Sequence, residues 1–142
     1  ANAIDAAPSS CAHRIVEGMF NPDSFEQNSF DLVCCFMTME HVSDPRLIME
    51  SVMKLLRPGG VFVTITHDYR SWVNRLMGKR SPIIDIEHTY LYSKQTLAKI
   101  LEAAGLKAVE QGCAWNSYDI SYLVKLFPFP KFIKKFIFFL FN

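Results

Sequence analysis

The amino-acid sequence predicts an α/β fold in which helices flank a mostly parallel sheet. Residues 30–37 form a near-continuous apolar run, residues 61–66 are rich in β-branched side chains, and a helical apolar pattern lies between them. A continuous apolar run is typical of a strand that is buried on both faces, as in a parallel sheet. Strand, helix and strand in this order predict a βαβ unit with two parallel strands.

The helix of this unit is predicted to begin at Pro45. Asp44 can cap its first turn, and proline suits the first helical position because its missing N–H would have no partner there. The sequence Arg57-Pro58-Gly59-Gly60 then ends the helix and turns the chain into the second strand. Apolar residues recur with helical spacing at Leu47, Ile48, Val52, Leu55 and Leu56.

One further helix and two short strands are predicted outside this unit. Ser93 is an N-cap candidate, and Gly105 supplies a C-terminal stop for the same helix. Residues 106–115 are interpreted as a strand, and a short strand is expected at Ile15 and Val16. The apolar stripe of the predicted helix consists of Leu97, Ile100, Leu101 and Ala104.

The composition fits a single globular domain. The chain has 142 residues, of which 50% are hydrophobic and 20% are charged, and its net charge is +1. A charge so close to zero gives no reason to expect nucleic acid as a partner. The four cysteines include no Cys-x-x-Cys pair, so neither a disulfide framework nor a zinc ribbon is indicated. Residues 1–11 lack the pattern of a signal peptide, and a reducing, cytoplasmic location is expected.

Several short segments follow one another in a fixed order along the chain. They are Phe30-Asp31-Leu32-Val33, Met39-Glu40-His41-Val42, Asp44-Pro45, Leu55-Leu56-Arg57-Pro58-Gly59-Gly60, Asp85-Ile86-Glu87-His88 and Tyr92-Ser93. This set resembles the fourth-strand and fifth-strand motifs, and the substrate-side segment, of class I S-adenosylmethionine-dependent methyltransferases. The most similar groups are the type 11 and type 23 methyltransferases, and the resemblance covers residues 15–115.

The resemblance implies a partial Rossmann-like methyltransferase fold. The family holds its cofactor with a glycine-rich loop after the first strand and an acidic residue after the second, and no Gly-x-Gly occurs in this sequence. We therefore expect strands 1 and 2 and the last strand of the family fold to be missing, and this chain by itself to be inactive. Residues 1–120 are interpreted as the C-terminal portion of the domain, and residues 121–142 as a basic, apolar tail that is helical.

The implied activity is methyl transfer from S-adenosylmethionine to a small-molecule, lipid or glycan acceptor. Displacement at a sulfonium has a good leaving group, so catalysis can come chiefly from alignment, and no catalytic triad is expected. The alternative is a noncatalytic remnant or interaction module of the same fold. A nicotinamide-dependent dehydrogenase is a third interpretation on fold grounds, which the methyltransferase-like motifs disfavour.

The resemblance places the cofactor at the carboxyl ends of the strands, where ligands bind in open α/β sheets. After the predicted strand at Ile15 and Val16, the family has an acidic or amide side chain against the adenine, where this chain offers only Met19. At the end of the strand at residues 30–37, Phe36 could face the sulfonium, because an aromatic face attracts a cation. Ordinary core packing is the alternative at both ends. The predicted cofactor-binding residues are Gly18, Met19, Phe20, Cys35, Phe36 and Met37.

His41 and His88 are the predicted catalytic residues. His41 belongs to the family-like Glu-His pair, and His88 lies in the segment that covers the substrate pocket in relatives. Histidine suits a general base near neutral pH, although a structural role is the alternative. Glu40, His67 and Asp68 are predicted to bind substrate. No metal site is expected, because the spacing of these residues matches no compact metal motif.

The tail suggests contact with a membrane surface. Residues 121–142 contain four lysines and no acidic residue among many apolar ones, and Pro130 is expected to begin a helix. The apolar stretch is far shorter than the ~20 residues that span a bilayer. A basic amphipathic helix at the membrane interface is therefore one interpretation, and packing on its own domain is the other. The first would favour a lipid-linked acceptor and a membrane-peripheral location.

Overall fold

The computed structural model describes residue 16, residues 18–114, residue 124 and residues 129–141. Short 3-10 turns occupy Pro22–Ser24, Met39–His41 and Gly78–Arg80. The strands and longer helices are β1 (Phe30–Phe36), α1 (Pro45–Leu55), β2 (Leu56–Ile65), α2 (Trp72–Met77), α3 (Lys94–Ala103) and α4 (Lys131–Phe141).

β1 and β2 are parallel neighbours and form a two-stranded sheet within the described residues. Their register runs from Leu32 opposite Val61 to Phe36 opposite Ile65. Because α1 connects the two strands, the predicted βαβ unit and α/β class are confirmed. Because the two strands are parallel, their carboxyl ends lie at the same edge of the sheet.

The predicted start of α1 is confirmed, whereas β2 begins earlier than predicted. Asp44 caps the helix, since its carboxylate accepts a hydrogen bond from the Arg46 amide at 2.9 Å, and Pro45 is the first helical residue. β2 starts at Leu56, directly after the helix, and the register shifts before Leu32 pairs with Val61. The Pro-Gly-Gly turn therefore lies in an irregular part of the strand. A Cβ at Gly60 would lie 3.0 Å from two backbone carbonyl oxygens, so only glycine fits there without a shift.

The core lies between one face of the sheet, α1 and α3. Ser93 begins α3 with a capping box shared with Thr96, and Gly105 follows the helix with a φ of +91°, as the sequence predicted. All four residues of the predicted α3 stripe pack against the buried cluster. That cluster consists of Met39, Met49, Val52, Leu56 and Tyr92.

Two strand predictions were wrong, and a third lies mostly outside the described residues. β1 is not buried on both faces: Val33 and Cys35 pack towards the core, whereas Leu32 and Phe36 are about half exposed, because the core cluster covers a single face. Residues 106–114 form no strand. That segment contains one β-branched residue, Val109, and composition gives it little strand preference. Ile15 is not described, and Val16 lies in no strand.

Candidate active site

The candidate site lies where the carboxyl ends of β1 and β2 meet. Met37 follows β1, and its N–H donates a hydrogen bond of 2.7 Å to the carbonyl of Ile65 at the end of β2. Met37 has a φ of +49°, which is uncommon for a residue with a side chain. After β2, Asp68 forms an isolated parallel bridge with Tyr92, so the segment that leads into α3 closes the same edge.

A cavity of about 610 Å³ opens at this edge. This volume lies within the range of about 300–1,000 Å³ that is typical of small-molecule sites. The carboxyl ends of the two strands, the start of α3 and part of the segment after it form the wall. The lining residues are Phe36, Met37, residues 64–68, Ser71, Asn74, Tyr92, Ser93, Lys94, Leu97 and residues 112–114.

The wall of this cavity carries two buried threonine hydroxyls without a hydrogen-bond partner among the described residues. The Oγ1 atoms of Thr64 and Thr66 are buried and make no hydrogen bond within the described part of the chain. Buried hydroxyls without partners are uncommon, since each costs free energy unless a ligand or water satisfies it. Both residues line the cavity, so these hydroxyls are available to a bound molecule.

Other polar groups on the wall are held in place by the protein. The Asn74 amide donates a hydrogen bond of 2.7 Å to the carbonyl of Asp68, and it accepts one of 2.8 Å from the Ser81 hydroxyl. The Asp68 carboxylate accepts a hydrogen bond from the Arg70 amide at 2.8 Å. Lys94 lies with its Nζ 3.3 Å from the Cys113 sulfur. The cavity therefore presents an apolar body with a few fixed polar groups.

Two ionisable groups near the strand ends stay neutral at physiological pH. Burial, with smaller contributions from nearby Tyr90, Glu40 and Cys35, raises the pKa of Tyr92 to about 12. The Tyr92 hydroxyl donates a hydrogen bond of 3.2 Å to the carbonyl of Met39. Burial also raises the pKa of the Cys35 thiol. Neither group is therefore suited to act as a base or nucleophile at neutral pH.

Three histidines gather beside the cavity. The ring of His41 stacks on that of His88 with centroids 4.8 Å apart, and the ring of His67 meets His88 edge-on at 5.5 Å. His41 Nδ1 lies 2.9 Å from the carbonyl of Glu87, which fixes the ring. Burial lowers the pKa of His67, although the carboxylate of Glu40 opposes this effect. His67 is the member of this group that lines the cavity.

Glu40 lies beneath these rings and is 1% exposed. Both of its carboxylate oxygens are without a hydrogen-bond partner among the described residues. Its backbone is fixed, since the Tyr90 amide donates a hydrogen bond of 3.2 Å to the Glu40 carbonyl. One ligand atom from each of Glu40, His67 and His88 can be chosen so that all three lie within 4.8 Å of one another.

The structure separates the predicted site residues. Phe36, Met37, His67 and Asp68 line the cavity, whereas His41, His88 and Glu40 form the cluster beside it. Cys35 lies one residue before the cavity wall and packs towards the core. Phe20 lines a separate apolar pocket of about 230 Å³ near the start of β1, together with Phe25 and Phe30. Gly18 and Met19 line neither pocket, and Met19 is 95% exposed.

Sequence reasoning missed the two threonine hydroxyls, Tyr92 and Asn74. Thr64 and Thr66 are two positions apart near the carboxyl end of a strand, so their side chains point to the same face, and this signal was readable. Tyr92 and Asn74 carry no comparable local signal. Their positions depend on the bridge between Asp68 and Tyr92, which joins segments that are far apart in the sequence.

Comparison with known proteins identifies a methyltransferase domain. The model of the type 23 methyltransferase domain family matches residues 4–111. The ubiquinone biosynthesis O-methyltransferase of Idiomarina loihiensis is 27% identical over 116 residues, which cover 69% of this chain and 48% of that protein. The protein of the same name from Erwinia tasmaniensis is 37% identical over 51 residues, which cover 34% of this chain and 21% of that protein.

A solved structure supports the fold. A crystal structure from Thermotoga maritima, described as a SAM-dependent methyltransferase and possible histamine N-methyltransferase, superposes with a TM-score of 0.50 at 22% sequence identity. The match covers 56% of this chain and 39% of that one. The chain thus spans about half the length of the first relative, and less of the other two.

Proposed function

Because the chain belongs to the methyltransferase domain family, we propose that the protein containing it uses S-adenosylmethionine to methylate an oxygen atom of a small, lipid-like acceptor. The cavity of about 610 Å³ at the carboxyl ends of two parallel strands carries this proposal. Ligands of open α/β sheets bind at this edge. Relatives that are named ubiquinone biosynthesis O-methyltransferases support an oxygen atom as the acceptor and a lipid-like substrate.

The residues of the cavity fit the cofactor that the family implies. S-Adenosylmethionine would supply an electrophilic methyl group on a sulfonium cation. Phe36 is half exposed at the end of β1, and an aromatic face attracts such a cation. The unpartnered hydroxyls of Thr64 and Thr66 can hydrogen-bond to the polar parts of the bound molecules. The apolar groups beside them suit the body of a lipid-like acceptor.

The contribution of this chain to catalysis is then mainly orientation. Alignment of two bound reactants can lower a barrier by about 7–11 kcal/mol without any acid or base. A hydroxyl acceptor must also lose its proton, and His41 and His88 stay our predicted catalytic residues. Neither ring lines the cavity, so His67 and Asp68 are the predicted residues that can contact an acceptor directly.

Binding of S-adenosylhomocysteine to the product of the complete gene tests the proposal. Calorimetric titration should give saturable binding with one site. Thr64→Val and Thr66→Val keep the side-chain shape and remove a hydroxyl, so each should weaken binding by about tenfold if one hydrogen bond of roughly 1.4 kcal/mol is lost. Thr89→Val is the matched control, because Thr89 is exposed and does not line the cavity. Absence of binding to the complete product would favour a noncatalytic remnant.

We further propose that α4 contacts an anionic membrane surface. Phe132, Phe136 and Phe139 lie three and four residues apart on this helix and are 73%, 62% and 81% exposed. Lys131 begins the same helix, and the helix contains no acidic residue. An exposed aromatic stripe on a basic helix is suited to the interface of an anionic bilayer. Among the described residues, no helix combines the length and apolar character that crossing a bilayer requires.

Co-sedimentation with vesicles tests this contact. We propose with it a cytoplasmic, membrane-peripheral location. The protein should sediment with phosphatidylserine-containing vesicles, and added salt should weaken the association because lysine contacts are screened. Phe136→Ser should reduce sedimentation, whereas Val109→Ser removes an even more exposed apolar side chain outside the helix, 83% against 62%, and should have no effect. Retention of the wild-type protein in the supernatant at low salt would contradict the proposal.

A further inference from the structure

Glu40, His67 and His88 come from three separate segments and meet at one point. Glu40 lies in the turn after β1, His67 follows β2, and His88 lies in the loop before α3. One ligand atom from each residue can be chosen so that all three lie within 4.8 Å of one another. We propose that these three side chains bind a divalent transition-metal ion, with Zn²⁺ as the ion that the ligand set suits best.

The buried carboxylate of Glu40 is the first argument for a bound cation. The side chain is 1% exposed, and neither of its oxygens has a hydrogen-bond partner within the described part of the chain. A buried carboxylate costs several kcal/mol unless a cation or hydrogen bonds compensate it. When Glu40 is ionised, its oxygens therefore need a positive partner close by. The imidazoles of His67 and His88 lie within reach of the same point.

A divalent cation is a better partner for this carboxylate than protonated rings. The ring of His67 meets that of His88 at 5.5 Å, and the ring of His41 stacks on His88 at 4.8 Å, so positive charges on these rings would repel one another. A neutral imidazole is the form that ligates a metal. A divalent cation between Glu40 and the two imidazoles would satisfy all three groups at once.

An acidic side chain lies beside His88. The Asp85 carboxylate lies 2.9 Å from Nδ1 of His88, a close contact that lacks hydrogen-bond geometry. The same oxygen accepts hydrogen bonds from the amides of Glu87 and His88 at 2.9 and 3.1 Å, which hold it in place. A carboxylate next to a metal-binding histidine recurs in zinc sites.

The ligand types favour a transition-metal ion over Mg²⁺ and Ca²⁺. Two imidazoles and one carboxylate are a set found around zinc, whereas Mg²⁺ and Ca²⁺ prefer oxygen ligands. Tetrahedral bonds of 2.0–2.2 Å place ligand atoms about 3.3 Å apart. Ligand atoms 4.8 Å apart would therefore have to move closer together by roughly 1.5 Å at most to reach this geometry. Small side-chain rotations provide such a movement. The three residues leave one position open, and the site borders the cavity because His67 lines its wall.

Equilibrium dialysis against Zn²⁺ with metal analysis tests the site in the product of the complete gene. One ion should bind per chain, and an excess of Mg²⁺ should not displace it. Glu40→Gln and His67→Gln should each weaken binding by at least about tenfold. Glu50→Gln is the matched control for Glu40→Gln, because Glu50 is exposed on α1 and lies outside the three-residue set. It should change the affinity by less than about threefold.

Cysteines could also bind Zn²⁺, so Co²⁺ substitution and Cys34→Ser with Cys113→Ser control for them. The expected Co²⁺ spectrum has d–d bands without thiolate charge transfer, and the serine variants should retain the ion. If Glu40→Gln does not fold, as circular dichroism would show, His67→Gln and His88→Gln provide the same test. No stoichiometric Zn²⁺, a thiolate band, or unchanged affinity in His67→Gln would overturn the proposal. Zn²⁺ binding without S-adenosylhomocysteine binding would leave this site standing and remove the proposed function.

Discussion

Replacement of Tyr92 by phenylalanine should reveal the buried hydroxyl through the pH dependence of stability. Tyr92 is 3% exposed, and its hydroxyl donates a hydrogen bond of 3.2 Å to the carbonyl of Met39. Removing this neutral hydrogen bond should lower the free energy of unfolding by about 1 kcal/mol at pH 8. The ring keeps its packing in the core, so the loss should be no larger than this.

The difference between the two proteins should shrink at high pH. Burial raises the pKa of Tyr92 from 10.0 to about 12, so the folded state holds the proton more tightly than the unfolded state. A group with a raised pKa gives stability that is present below pH 10 and is lost as the pH rises towards 12. At pH 11 the wild type should have lost about 1.4 kcal/mol from this residue, whereas Tyr92→Phe has nothing to lose there.

Urea unfolding of both proteins between pH 8 and pH 11 measures this difference. The other tyrosines and the lysines titrate in both proteins, so they cancel in the comparison. The two curves of stability against pH should converge near pH 11, since a loss of about 1.4 kcal/mol offsets the roughly 1 kcal/mol of the hydrogen bond. A constant difference across this range would show that the hydroxyl is not desolvated in the folded protein, and the reasoning would fail.

Two further substitutions test the core and the turn. Met49→Ala, at a side chain 1% exposed in the core cluster, should cost about 2–4 kcal/mol in urea unfolding, whereas Leu47→Ala on the exposed side of the same helix should cost less than about 1 kcal/mol; equal losses would contradict the assigned burial. Gly60→Ala places a Cβ 3.0 Å from two carbonyl oxygens, and Gly59→Ala meets open space at a φ of +82°. Thermal unfolding should show the larger loss for Gly60→Ala, about 2 kcal/mol or more against about 1 kcal/mol, and the reverse order would refute the close approach.

Local signals in the sequence predicted α1 and α3, whereas α2 was not predicted as a defined helix. A proline after a capping aspartate fixed the start of α1, and Ser93 and Gly105 bounded α3, because caps and stops act within one turn of the chain. Strand predictions were weaker. The apolar composition of residues 30–37 predicted β1 but not its burial, since burial depends on what covers each face. Residues 106–114 failed as a strand because a strand also needs a neighbour to pair with.

The candidate site was only partly predictable, for the same reason. Phe36 and His67 follow strands, and general topology places such residues at one edge. The position of Tyr92 depends on its bridge with Asp68, and the burial of Glu40 depends on rings that come from two distant loops. Spacing along the chain argued against a metal site, yet Glu40, His67 and His88 meet in space although they are 27 and 21 residues apart.

Substitution of Met37 tests whether the backbone conformation at the end of β1 lowers the stability of the fold while it favours ligand binding. Among the described residues, Met37 and Asn28 are those other than glycine with a positive φ, at +49° and +52°. The left-handed region costs a residue with a Cβ about 1–2 kcal/mol, and asparagine tolerates it better. Met37→Gly removes this strain but adds freedom of about 0.5–1 kcal/mol to the unfolded chain.

The net effect of Met37→Gly should be a gain of about 0.5–1 kcal/mol in urea unfolding, because the relief of strain exceeds the added entropy. Asn28→Gly, the matched change, should gain less. Met37 lines the cavity, so the same variant should bind S-adenosylhomocysteine more weakly, whereas Asn28→Gly should bind it normally. Strained residues persist where the surrounding structure holds them, often at functional sites. A variant that binds normally and is more stable would show that the strain at this strand end serves no binding role.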